Sequence, residues 1–184
     1  MPLPKATTAR KALHTRRIEC QGFEREDGLI DVEGHLVDTK TYSFPNKFRG
    51  QVVAGEPIHE MWIRITIDKA LTIVAIDAAS DSHPFQICPS VVPNFQTLVG
   101  LQIVGGFQRK VKERLGNTEG CTHLVDLVGT VATTAFQTVA GRAVKPAPGT
   151  IKTKPALVDS CRGWAADGVV VKEVFPDFFT GPGD

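Results

Sequence analysis

Met61-Trp-Ile-Arg-Ile-Thr-Ile67 and Leu71-Thr-Ile-Val-Ala-Ile-Asp-Ala78, parted by Asp68-Lys69-Ala70, read as a β-hairpin. Both arms are rich in β-branched residues, which suit the pleated, half-buried surface of a strand. A hairpin makes its sheet antiparallel, and an antiparallel sheet packs one face on a core and leaves the other to water. The rest of the chain can then be asked what extends this sheet and what covers it.

The extension lies upstream. Residues 17–40 read as two strands joined by a turn of the Asp-Gly type at Glu26-Asp27-Gly28. In the second strand Ile30, Val32, Gly34 and Leu36 fall on one side, and Leu29, Asp31, Glu33 and His35 fall on the other. That period of two predicts a strand with one apolar face, which should dock onto the sheet of 61–78. Residues 41–56 carry Pro45, Gly50 and Gly55 and read as a loop.

The cover lies downstream, where the period changes to that of a helix. Val92, Phe95, Leu98 and Val99 form a first helical face, then Phe107, Val111 and Leu115 a second that ends at Gly116. Leu124, Leu127, Val128, Val131, Ala132, Ala135 and Phe136 form a third, opening at Cys121-Thr122. Strands first and helices after them predict an α+β protein, an antiparallel sheet with helices packed on one face. The organisation read from this order is a flexible basic arm over 1–15, one domain over 16–140 and a Pro-, Gly- and Lys-rich linker over 141–156. A C-terminal extension over 157–184 then packs on the domain, with 168–174 as one more strand and a loose tail after it.

At 184 residues the chain suits one core better than two. A net charge of +1 gives no global field to draw in nucleic acid or an anionic membrane. No apolar run approaches the roughly 20 residues of a membrane span, and the start lacks the apolar centre of a secretory signal. A cytoplasmic, reducing compartment is therefore expected, with Cys20, Cys88, Cys121 and Cys161 as thiols or ligands rather than disulfides. No CxxC pair, GxGxxG, P-loop, HExxH or GxSxG is present.

Three residues sit where an element begins or ends. His59 precedes the hairpin, Cys88 stands before the first helical segment, and Cys121 opens the third. Helix N-termini favour negative charge, so a thiol placed there spends more time as the thiolate that binds metals and attacks electrophiles. Cys20, inside a strand, reads as inert core. His14 reads as solvated, His35 as a surface residue and His83 as a turn residue. His123, two residues after Cys121, can share an ion with it only if Cys121 caps the helix.

Two resemblances add to this reading. His14-Thr-Arg, Asp27-Gly-Leu-Ile-Asp-Val-Glu-Gly, Leu36-Val-Asp-Thr-Lys, Ala54-Gly-Glu-Pro-Ile-His-Glu-Met-Trp, Gly120-Cys-Thr-His-Leu and Asp159-Ser-Cys resemble, over nearly the whole chain, a bacterial family catalogued as domain of unknown function 2889. From Ala54 to Gln137 the order of His59, hairpin, Cys88, helices and Cys121 is similar to the iron–sulfur cluster scaffold proteins of the NifU N-terminal type. That resemblance implies a scaffold-like core with an N-terminal hairpin extension. It also implies that His59 and Met61 stand where the scaffold has its first cysteine and its aspartate, and that Cys88 and Cys121 match the other two cysteines. Two thiolates and an imidazole with one open position suit zinc or iron.

The first functional expectation is thus a metal-binding protein with His59, Cys88 and Cys121 as ligands. It would act either as a metal-dependent enzyme on a small molecule or as an accessory factor exchanging metal with a donor or acceptor protein. The second is a metal-free thiol enzyme, with Cys121 or Cys88 as nucleophile and His123 or His59 as base. The third is a non-catalytic binding or assembly module. Self-association stays open.

Overall fold

The upstream stretch forms the two strands that its alternation predicts. In the computed structural model, which describes residues 3–140 and 151–182, β1 spans His14–Glu24 and β2 spans Ile30–Lys40. They join β5 (Pro57–Ile67) and β6 (Ile73–Ser82) in one antiparallel sheet of order β1-β2-β5-β6. Ile30, Val32, Leu36, Met61, Ile63, Ile65 and Ile76 turn to one face and are buried. The stretch expected as a loop carries a separate two-stranded ribbon, β3 (Phe44–Asn46) with β4 (Gly50–Val52). A side-chain bond of the Asn46 carboxamide to the Phe48 amide shapes its turn.

Helices cover the buried face. α1 spans Phe107–Leu115 and α2 spans Thr122–Ala140, both at the positions their periodicity marks. The first helical segment, Cys88–Leu98, is a 3-10 helix rather than an α-helix. Pro89 sits in the first turn, where no ladder amide is needed. Pro93 removes an amide an α ladder would use and its ring crowds the preceding turn, and the winding is accordingly tighter and irregular. Its Phe95 and Leu98 nevertheless reach the core. This segment packs on β6, while α2 lies across β1, β2 and β5. Each fully buried Leu or Phe here contributes roughly 1.5–3 kcal/mol.

Glycine lets α2 come close. A Cβ on Gly34 of β2 would stand 2.5 Å from Val131 Cγ2 and 3.0 Å from Leu127 Cδ1. Gly22 of β1 likewise faces the Thr138 side chain with no room for a Cβ. The helix therefore runs along the sheet with Thr138 near Gly22 and its first turn at the opposite end, beside the last residues of β2 and the first of β5. No helix among the described residues is long and apolar enough to cross a membrane.

The C-terminal part departs from expectation. Gly168-Val-Val-Val was read as the start of a strand, but Val169–Val174 is a short helix, α3. Among the described residues no strand pairs with it, and its amides close locally instead, Lys172 N–H to Gly168 and Phe175 N–H to Val171. The tail is less loose than expected, since Pro176–Phe178 makes a 3-10 turn and the Phe175 ring packs against Trp164. Together with α1 and α2 this part lines a cleft of about 830 Å³. Most of the expected linker lies outside the described residues.

Candidate metal centre

The buried face of β2 reads Ile30, Val32, Gly34, Leu36 and then Asp38. Strand periodicity alone puts this carboxylate inside, on the side of α2. His59 is its register partner on β5, and Met61 shares the same face of β5 two residues on. Just beyond the Asp38–His59 pair the register shifts, so that Thr39 pairs with Pro57. A bulge of this kind bends the strand and re-aims a side chain. The first turn of α2 supplies His123, and β1 supplies His14 and Arg16 from the strand beside β2.

Asp38 is 2% exposed and fully engaged. Arg16 donates from Nε to Oδ1 at 2.9 Å and from Nη2 to Oδ2 at 2.8 Å. His14 Nε2 stands 3.1 Å from Oδ1, and His59 Nδ1 stands 3.1 Å from Oδ2. His123 Nε2 lies 3.9 Å from Oδ2, and its ring stacks on that of His59 with centroids 3.7 Å apart. Arg16 also reaches Asp126 at 3.4 Å. One ligand atom from each of Asp38, His59 and His123 lies within 4.8 Å of the other two.

The charges in this cluster are set by burial and by Arg16. Burial opposes ionisation of Asp38, but the hydrogen bonds and charge of Arg16, helped by His59, outweigh it and hold the carboxyl below its usual range. Burial lowers the His59 pKa, and the neighbouring His123 lowers it further, against the pull of Asp38. Burial likewise lowers that of His123, with Arg16 adding to the effect. The site therefore pairs an ionised carboxylate with two imidazoles held neutral, the protonation state that metal ligation requires.

The sequence-marked residues divide. His59 and His123 are in the cluster. Cys121 stands at its edge as the cap of α2, its carbonyl accepting from Val125 N–H at 2.9 Å. In that position, outside regular helix geometry, its Sγ comes 3.7 Å from His123 Nδ1 and 3.9 Å from Met61 Sδ. Cys88 begins the 3-10 segment, where its amide bonds Phe85, and it does not enter the set of mutually close ligand atoms among the described residues. Cys20 packs against the core, and burial raises its thiol pKa. His14 was read as solvated but bonds Asp38. His35 stacks on Trp62 and contacts Glu60 on the open face of the sheet, in keeping with a surface role. Asp38 and Arg16 were missed. The signal for Asp38 was its place on the apolar face of β2, since a carboxylate continuing a buried run needs a partner.

A family model described as Protein of unknown function (DUF2889) matches residues 14–137, from the first residue of β1 into α2. That span takes in every residue of the cluster. No curated protein and no solved structure matches the chain.

Proposed function

The chain belongs to the DUF2889 family, and from the geometry of its site we propose that it is a metal-binding protein holding a divalent zinc or iron ion on Asp38, His59 and His123. The observation that carries this reading is the buried carboxylate facing two half-buried imidazoles. An ion about 2.1 Å from each of two ligands keeps them about 3.0 Å apart at a right angle and about 3.4 Å apart at the tetrahedral angle. The 3.1 Å between Asp38 Oδ2 and His59 Nδ1 lies in that interval. The 3.9 Å to His123 Nε2 closes with a shift of about half an ångström.

Arg16 and His14 use the other lone pairs of the carboxylate, so the ion takes the place of the proton between His59 Nδ1 and Oδ2. Two imidazoles and one carboxylate leave positions for water or substrate, where the ion polarises an oxygen or lowers the pKa of bound water. A small-molecule substrate or a metal-exchanging protein fits such a site. An iron–sulfur cluster suits it less, because clusters take thiolates and the gathered donors are mainly nitrogen and oxygen.

Elemental analysis of untagged protein isolated anaerobically tests the reading. The expected result is about one equivalent of zinc or iron, retained in Cys20→Ser and reduced at least about tenfold in Asp38→Asn and His123→Ala. Wild-type protein that carries no metal, and takes up neither ion in calorimetry, would end it.

A second reading has its own observation. His123 presents Nδ1 to Cys121 Sγ at 3.7 Å and Nε2 toward Asp38, the order of nucleophile, base and orienting acid. On this reading iodoacetamide alkylates half-buried Cys121 faster than exposed Cys161, and His123→Ala removes the difference. Peptide mapping of the alkylated thiols reads both, and an unchanged rate at Cys121 in His123→Ala excludes the thiol mechanism.

A further inference from the structure

The sulfur side of His123 forms a second donor set that the Asp38 centre does not use. Cys121 Sγ stands 3.7 Å from His123 Nδ1 and 3.9 Å from the thioether sulfur of Met61. Met61 is 1% exposed and points from β5 toward α2, whereas Cys121 is only half-buried and leaves a way in. We propose that Cys121, Met61 and His123 Nδ1 form a trigonal site for a soft monovalent cation, Cu(I).

Two arguments select this ion. The first is metric. A three-coordinate ion with metal–sulfur bonds of about 2.3 Å and a metal–nitrogen bond of about 2.0 Å holds its sulfurs about 4.0 Å apart, and sulfur and nitrogen about 3.7 Å apart. Both separations that radiate from Cys121 agree with these values before any side chain moves. The second is chemical. A thioether is a neutral, polarisable donor, and thiolate with thioether selects Cu(I) over harder divalent ions. As the copper–sulfur bond forms, the Cys121 proton leaves to solvent. The metal–thiolate pair is then neutral, which suits its half-buried place against the core. No electron is transferred. Loading through Nδ1 leaves the ring proton on Nε2, aimed at Asp38 Oδ2, so the soft site stands without the Asp38 centre and competes with it for one imidazole.

The test is anaerobic titration of reduced protein with Cu(I) against bicinchoninate, in a Cys161→Ser background that removes the exposed thiol. The expected result is one equivalent withdrawn from the chromophore. X-ray absorption should then show two sulfurs at about 2.3 Å and one nitrogen at about 2.0 Å. Cys121→Ser weakens binding at least about a hundredfold, and Met61→Leu weakens it about tenfold and removes one sulfur from the shell. Leucine nearly conserves the volume of methionine, so Met61→Leu should fold, which circular dichroism checks. Asp38→Asn still takes up one equivalent of Cu(I) while losing the divalent ion, so the two sites can fail separately. Folded Met61→Leu that binds Cu(I) as tightly as its parent overturns the proposal, as does protein that takes no copper from bicinchoninate.

Discussion

Asp38→Ala should lower the stability of the apoprotein by about 3 kcal/mol, read as a shift of the urea midpoint at unchanged slope. The cost is not the loss of a contact energy. Removing the carboxylate leaves the Arg16 guanidinium without its two-point acceptor and leaves the ring nitrogens of His14 and His59 unmatched, with His59 only 15% exposed. An orphaned buried polar group costs its full desolvation. Arg16 is about one-third exposed and can turn toward Asp126, which keeps the loss at the lower end of the 3–5 kcal/mol seen for broken buried pairs. Asp38→Asn retains the shape and one acceptor oxygen and should cost clearly less. A midpoint for Asp38→Ala close to that of the parent would show that the cluster does not hold the ends of β1, β2 and β5 together.

Asp38 also marks where the sequence stops being legible. The four strands of the main sheet, α1 and α2, unlike the short β3–β4 ribbon, could be read because each depends on local periodicity, and the glycine at the end of α1 and the cysteine at the start of α2 stand at its changes. Ile30 to Leu36 announced their buried face in the same way. What lies two residues further, Asp38, belongs to that face by the same rule, but its partners come from β1, β5 and α2. Those partners depend on strand register and on how closely α2 approaches the sheet over Gly34, which no single segment encodes. His59 and Cys121 were readable as lying near element ends, although His59 stands inside β5 rather than before it. His123 was harder to place, because spacing from Cys121 argues against a shared face unless Cys121 caps the helix, as it does.

Val169–Val174 shows the opposite failure. Three valines in a row favour a strand, but β propensity expresses the fit to a pleated neighbour. With no strand among the described residues paired to them, the valines lie in a short helix, and only Val171 is buried completely. Propensity was overridden by the absence of a partner strand.

A divalent ion at a free concentration a thousandfold above its Kd should raise the stability of the protein by about 4 kcal/mol, or roughly 10 °C in Tm, provided the unfolded chain does not bind it. The pH dependence of that increment identifies the ligands. His59 and His123 have pKa values below the usual 6.5 in the folded protein, burial being the main cause for both, while the unfolded chain takes up protons near 6.5. Below that pH the unfolded state binds more protons than the folded one, so the apoprotein loses stability as pH falls from 6.5 toward the depressed folded values. The ion competes with protons only in the folded state, where burial favours the neutral imidazoles, and Asp38 stays ionised throughout this range. The increment should therefore hold at neutral pH and shrink only as pH falls through the depressed folded values, with His123→Ala removing most of it at every pH. Melting curves with and without zinc across this range measure both terms. An increment already falling between pH 8 and 7 would assign the ion to groups that titrate there, and the Asp38, His59 and His123 assignment would be withdrawn.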